Sequence, residues 1–303
     1  MLITIFTPSY NRAYILPMLY QSLVNQIDPN FEWVIVDDGS SDNTEELVSS
    51  WIEENKIHIY YKKQPNQGKH IAINTGVQMA KGELFFIVDS DDNLTPNAVQ
   101  TVRSFWQKRK AINGISGIIS YRQFPDGNLV GTSLPSSVDK CKLRECESKY
   151  NSVGDKVVIY RTDVLKQYPY PKFWGEKFLG ESIVFNQIDD NYDMLVMNAR
   201  VYNFDYQKDG LSQDFRKLYR NNPNGFLLQF EQTLKYSNSF KTRLKTTAHM
   251  ACLSWHLNKM GKYFTQGNLL LRMLAFPIGL ALNFKIFVLK VSDVKPFVES
   301  ENK

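Results

Sequence analysis

A chain of 303 residues with 43% hydrophobic side chains has enough apolar mass for one large domain, or a domain with a substantial appendage, which excludes a disordered class. Its net charge of +5 is uneven: Lys241 to Lys303 holds ten Lys and Arg against three Asp and Glu, and the remainder is slightly acidic. That asymmetry points to a negative surface beside the tail, and no nucleic-acid motif accompanies it, so a membrane is favoured over nucleic acid.

The first residues, Met1–Pro8, lack a basic leader and a small-residue cleavage site. They are expected to form a strand, Ile3–Thr7, rather than a signal peptide. Apolar residues at helical spacing follow from Tyr14 to Val24, then a strand at Trp33–Val36 that ends in Asp37-Asp38-Gly39-Ser40. Ser41 or Asp42 can cap the next helix, whose first turn holds Glu45 and Glu46. Ile57–Tyr61 predicts a third strand, Ala72–Ala80 a helix after Gly68, and Leu84–Val88 a fourth strand covered on both faces. This rhythm predicts an α/β fold with a mostly parallel, Rossmann-like sheet flanked by helices, in which ligands bind beyond the carboxyl ends of the strands. Shorter strands (Ile115–Tyr121, Val157–Tyr160, Met194–Val201) and a helix at Ser182–Asp189 come next, and beyond Ser212 the pattern is helical. The three cysteines, Cys141, Cys146 and Cys252, have no C-x-x-C spacing; a disulfide framework or zinc site is not expected, and a reducing cytosol suits them.

The polar clusters sit at three strand ends: Thr7–Arg12, Asp37–Asp42 and Asp89–Asp92. Asp89-Ser90-Asp91-Asp92 sets three carboxylates within four residues, and these repel one another unless a cation or solvent compensates them. Carboxylate oxygens suit Mg²⁺ or Mn²⁺, which bridges a substrate diphosphate. A helix cap by Asp92 or Thr95 ahead of Pro96 accounts for one carboxylate and not for three. In the second cluster a carboxylate can accept from a base N–H or a ribose hydroxyl. In the first, Tyr10 can stack on a base and Arg12 can offset phosphate charge. No G-x-G-x-x-G follows the first strand, which disfavours a dinucleotide-binding dehydrogenase; P-loop, H-E-x-x-H and G-x-S-x-G motifs are also absent.

The segments TPSYNR, VIVDDGSSDNT, NQGKHIAINTG and FFIVDSDD, in this order and spacing, resemble the family 2 inverting glycosyltransferases of the GT-A fold. The likeness is strong over Met1–Pro96 and weaker through GEKFLGESIVFNQI and YNFDYQKDGLS. It implies a catalytic domain over residues 1–212, with a nucleotide-sugar half at about 1–110 and an acceptor half at about 111–212, followed by a helical region, 213–303. It implies inverting transfer from a nucleotide sugar, a UDP-sugar by preference, onto a growing surface glycan or lipid-linked acceptor. Pro8, Tyr10 and Asp38 would form the base pocket; Gly68 would permit close backbone approach, with Lys69 or His70 near the diphosphate. Asp89 and Asp91 would be the D-x-D pair around Ser90, one towards ribose and one to Mn²⁺ or Mg²⁺, with Asp92 as an added ligand candidate.

The catalytic base departs from the pattern. Many relatives place it as the Asp of a Glu-Asp pair at a helix start, and here that dipeptide is Glu181-Ser182. Glu181 is therefore the expected base, with Glu176 as the alternative, while Asp189 and Asp190 lie too far along the helix. A nucleotidyltransferase, or a non-catalytic relative that keeps the nucleotide pocket, are the rival readings. In the tail, residues 269–290 are interrupted by Arg272 and Lys285, too short an apolar stretch for a span. With Lys290 they suit an amphipathic helix on an anionic leaflet, which implies a cytoplasmic protein peripheral to the inner face of the membrane.

Overall fold

The computed structural model describes residues 1–204, 215–265 and 267–289. They form two compact units: residues 1–171 with 184–204, and residues 172–183 with those from 215 onward. The expected boundary at residue 212, and the Asp205–Ser212 part of the weaker likeness, lie outside the described residues. Residues 172–183, placed by the sequence in the acceptor half, group with the helical unit.

The first unit runs β1 (Ile3–Ser9), α1 (Leu16–Val24), β2 (Phe31–Asp37), α2 (Thr44–Glu54), β3 (Ile59–Lys63), α3 (Lys69–Met79), β4 (Leu84–Ile87), β5 (Asn93–Leu94) and α4 (Ala98–Gln107). It continues with β6 (Ile115–Gln123), β7 (Lys140–Cys141), α5 (Glu145–Ser148), β8 (Lys156–Arg161), α6 (Thr162–Leu165), α7 (Ser182–Asp189, which begins in the segment grouped with the helical unit) and β9 (Asp193–Asn203). The strands join one sheet in the order β3-β2-β1-β4-β8-β6-β9-β5, with β7 added against β9. As the alternation of strands and helices predicts, β3, β2, β1 and β4 are parallel. Beyond β4 the sheet is mixed: β8 runs antiparallel to both β4 and β6, and β6 is parallel to β9. The short strands of this half need no crossover helix for their antiparallel neighbours, which is why the helical rhythm fades there.

Every residue of β2 is buried, as both-face coverage requires, whereas β3 at the sheet edge is half exposed. Tyr20 from α1 and Trp51 from α2 stack at 4.3 Å, and Trp51 meets Trp33 of β2 at 5.9 Å, so three aromatic rings fix two helices to one strand. Gly76 of α3 lies so close to β1 that a Cβ there would come 2.1 Å from the Phe6 ring. The absence of a side chain at Gly76 thus lets α3, with Lys69 and His70 in its first turn, press against the strand.

The second unit holds α8 (Phe215–Asn221), α9 (Pro223–Tyr236), α10 (Phe240–His256), α11 (Met260–Thr265) and α12 (Leu269–Asn283), which continues into one π-helical stretch, Phe284–Val288. Its core gathers Tyr219, Phe226, Phe230, Met250, Leu253 and Ile286. Gly279 allows α12 onto α10, since a Cβ there would meet the Ala251 methyl at 2.4 Å, and Asn283 Nδ2 donates to the Cys252 carbonyl at 2.9 Å. Arg272, expected on a basic outer face, turns inward instead. It is 5% exposed, donates to the Tyr263 carbonyl and lies over the Tyr263 ring, whose hydroxyl donates back to the Arg272 carbonyl. Lys285 is half-buried, and Lys290 lies outside the described residues.

Candidate functional site

Because β1, β2 and β4 are parallel neighbours, the three polar clusters come to one edge of the sheet. The first two are tied together. Asn11, in the left-handed region at φ 54°, donates its backbone N–H to Ser40 Oγ at 2.8 Å, and its Oδ1 accepts from the Ser41 N–H at 2.8 Å. Ala13 N donates to Asp42 Oδ2 at 3.0 Å, while Asp42 Oδ1 accepts from the Thr44 hydroxyl at 2.6 Å. Asp37 is buried and structural: it accepts from Ser40 N at 2.7 Å and from the Tyr61 hydroxyl at 2.7 Å.

Asp38 is buried and holds the turn ahead of α3. Its Oδ1 accepts from Gln64 Nε2 at 2.8 Å and Gln67 N at 2.9 Å, and its Oδ2 accepts from Gly68 N at 2.7 Å. Gly68 sits at φ 94°, which an L side chain rarely adopts. The carboxylate expected to meet a base thus first organises residues 64–68, and Oδ2 retains the lone pair such a contact needs. Gln64 and Gln67 were not distinguishable in the sequence, because only the fold brings them to Asp38. Tyr10 leaves half its surface exposed, so its ring is not consumed by the core. Ser9, next to Pro8, is buried with no partner for its Oγ among the described residues.

Lys69 Nζ lies 2.7 Å from Asp89 Oδ1. Burial works against the Asp89 charge, yet Lys69, with Arg122 and Arg12, holds its carboxyl below the ordinary range. Burial and then the Asp89 charge push Asp91 up. Asp92, the added ligand candidate, is tied to the far strands of the sheet through one of its oxygens. It is 4% exposed, accepts from the Tyr202 hydroxyl at 2.8 Å and faces Arg122 at 3.7 Å, while the same Tyr202 oxygen accepts from Asp89 N at 3.0 Å. Burial pushes Asp92 up to about 7 against the pull of Arg122 and Tyr202. Arg122 and Tyr202 come from β6 and β9, far along the chain, and no local spacing announces them.

Among the described residues no three His, Cys, Asp or Glu side chains converge as a metal-binding group. Mg²⁺ and Mn²⁺ nevertheless bind through one or two carboxylates plus substrate phosphates. Asp89 and Asp91 fit that donor set: hard oxygens whose mutual repulsion a cation relieves, beside cations suited to a diphosphate.

His70 is buried in the first turn of α3, edge-on to the Tyr170 ring, with no hydrogen-bond partner for Nδ1 among the described residues. Burial pushes its pKa down to about 4, against the opposing charge of Asp38. An unfolded imidazole titrates near 6.5, so between the two values the unfolded chain binds the extra proton. The stability His70 contributes is full above about pH 6.5 and is lost as pH falls towards 4; His249, also pushed down to about 4 by burial, adds to the loss. His70→Gln is expected to make the fall of Tm between these pH values shallower, and an unchanged slope would refute this assignment.

The two candidate bases group with the second unit. Glu176 is spoken for. Its Oε1 accepts from Asn224 N at 2.8 Å and Asn224 Nδ2 at 2.7 Å, and Oε2 accepts from Gly225 N at 2.8 Å. It satisfies the open N–H groups at the start of α9, with Pro223 in the first turn, so the alternative assignment as base is corrected to a structural one. Glu176→Ala should lower stability by about 1–3 kcal/mol in a melt, while transfer per folded molecule is kept. Glu181 stands half-buried immediately before α7, and Asp189 is buried as acceptor for Leu143 N and Arg144 N.

Residues 4–151 match the family model described as Glycosyl transferase family 2. Glycosyltransferase GlyG of Streptococcus pneumoniae serotype 4 is 32% identical over 128 residues, 42% of this chain and 42% of its own. The putative teichuronic acid biosynthesis glycosyltransferase TuaG of Bacillus subtilis is 28% identical over 117 residues, 38% of this chain and 46% of its own. The chain thus spans less than half the length of these curated relatives. Among solved structures, S. aureus TarS 1–349 in complex with UDP-GlcNAc superposes with a TM-score of 0.62 at 19% identity, covering 94% of this chain and 81% of that 1–349 chain. Mannosyltransferase PcManGT from Pyrobaculum calidifontis, in complex with GDP-Man and Mn²⁺, gives 0.52 at 17% identity, covering 92% and 80%. At these identities the likeness is one of fold.

Proposed function

We infer, from the premise that this chain carries a family 2 glycosyltransferase domain of the GT-A fold, that it moves a sugar from a nucleotide-sugar donor with inversion at the anomeric carbon. The donor is a UDP-sugar by preference and the acceptor a growing surface glycan or lipid-linked glycan. The names of TarS bound to UDP-GlcNAc and of TuaG support that choice. The observation that carries the reading is the Lys69–Asp89 pair at 2.7 Å with Asp91 beside it, at the end of β4 and the start of α3. Opposed charges gathered at strand ends are what a metal-bound diphosphate needs.

In this reading Pro8, Tyr10 and Asp38 receive the base, and Ser90 and one of Asp89 and Asp91 face the ribose. Arg12, Gly68, Lys69 and His70 border the diphosphate. The other of Asp89 and Asp91, with Asp92 as an added ligand candidate, would hold Mn²⁺ or Mg²⁺, which would neutralise charge on the departing nucleoside diphosphate. Glu181 takes the proton of the acceptor hydroxyl as its oxygen bonds to the anomeric carbon and the carbon–phosphate oxygen bond breaks. The chain works on the cytoplasmic side, peripheral to the membrane through the helix at 269–289. A thermal-shift panel of nucleoside diphosphates, with and without Mn²⁺, tests the donor site. Base-selective, metal-dependent stabilisation is expected, and no shift with any nucleotide on folded protein would overturn the reading.

A further inference from the structure

The outward face of α12 and its π-helical extension carries Leu270, Met273, Leu274, Ile278, Phe284 and Val288, each between 46% and 68% exposed. Arg272 and Asn283 are buried away from this face, and Lys285 is half-buried. Against the expectation from its short uncharged stretch, the helix Leu269–Val288 is by length and composition long and apolar enough to cross a membrane, at roughly 30 Å. Its inner face, however, is closed on α10 through Gly279 and Asn283, so lipid can reach one side only. Such a helix lies in the interface rather than across it.

Beside its first turn is a cavity of about 330 Å³, lined among others by Glu231, Lys235, Arg243, Asn268, Leu271 and Arg272. Three cations face one carboxylate, and Glu231 already pairs with Lys262 at 3.3 Å. Arg243 donates to the Leu234 and Ser237 carbonyls, and Arg272 to that of Tyr263. Neither guanidinium has a carboxylate at ion-pair distance among the described residues. Guanidinium groups that outnumber the one carboxylate of their cavity fit phosphate oxygens, which accept in the paired geometry they offer.

We propose that this cavity takes the phosphate of an anionic phospholipid, while the outward face of α12 lies among the acyl chains of the same leaflet. The inference rests on the peripheral-membrane reading and names its headgroup site. The apolar face gives attachment, and the cavity gives preference for negative lipid, matching the positive excess of the C-terminal stretch.

Vesicle flotation with the full chain tests it, using phosphatidylcholine with and without phosphatidylglycerol. The chain is expected to prefer the anionic vesicles by about tenfold. Leu270→Glu with Leu274→Glu should abolish attachment to both. Arg243→Gln and Lys235→Gln should each cut the anionic preference by about fivefold and leave attachment to phosphatidylcholine unchanged. Lys235 is exposed, so its variant stays informative if Arg243→Gln fails to fold. Lys259→Gln, outside the cavity lining, should change little. If the wild type floats with neither vesicle, the membrane reading itself fails. If it floats but the preference survives both cavity variants, or falls equally in Lys259→Gln, the headgroup site alone is overturned.

Discussion

Asp91→Asn is expected to lower Mn²⁺-dependent transfer by about 10²–10³-fold and to abolish stabilisation of the protein by nucleoside diphosphate with metal. Asp91 sits half-buried beside Asp89, and burial with that neighbouring charge raises its carboxyl above the ordinary range. Its charge is therefore unfavourable in the empty protein and favourable only beside a cation. Removing it should leave the melting temperature of the ligand-free protein unchanged or slightly higher. Asp92→Asn supplies the contrast. That carboxyl accepts from the Tyr202 hydroxyl and faces Arg122, so its loss should disturb the packing of the β6–β9 edge while metal dependence persists. Retained activity and unchanged metal dependence in Asp91→Asn would remove Asp91 from the metal site and with it the D-x-D reading. Equal losses in Asp91→Asn and Asp92→Asn would show instead that the cluster acts only through folding.

The difference between these two adjacent aspartates illustrates what the sequence carries. Strands covered on both faces declare themselves as apolar runs, so β1, β2 and β4 and the polar residues at their ends were visible. Their parallel pairing then places the three clusters at one edge without any further information. What was not visible depends on partners far along the chain. Asp92 is decided by Arg122 and Tyr202, Asp38 by Gln64, Gln67 and Gly68, and Glu176 by Asn224 and Gly225. A carboxylate that caps a helix some fifty residues away has the same local sequence as a catalytic one. Arg272 failed for a related reason: in a run of leucines a lone arginine suggests a wet face, yet Tyr263 supplies a carbonyl and a ring that let it turn inward. Hydrophobic periodicity locates the helix but does not say which stripe is covered when both stripes are apolar.

Glu181→Gln is expected to leave donor binding intact and reduce turnover by about 10²–10⁴-fold, the range for loss of a positioned general base. The glutamine keeps the size and the hydrogen-bonding oxygen, so a merely structural Glu181 at the start of α7 should tolerate it with small effects on both quantities. Binding is read from the thermal shift with UDP and Mn²⁺, turnover from steady-state transfer, and a loss confined to kcat separates base from anchor. Glu176→Gln serves as the comparison, since that side chain is held by three hydrogen bonds at the start of α9 and should affect melting more than turnover. The Glu-Asp pair of the resembled family suggests a second step. Ser182 occupies the position where the base is usual, at the first residue of α7, so Ser182→Asp in the Glu181→Gln background should restore part of the lost turnover. Rescue would place the acceptor hydroxyl within reach of either side chain. Unchanged turnover in Glu181→Gln would instead free the mechanism from this carboxylate, and loss of turnover without rescue would fix the base at position 181 alone.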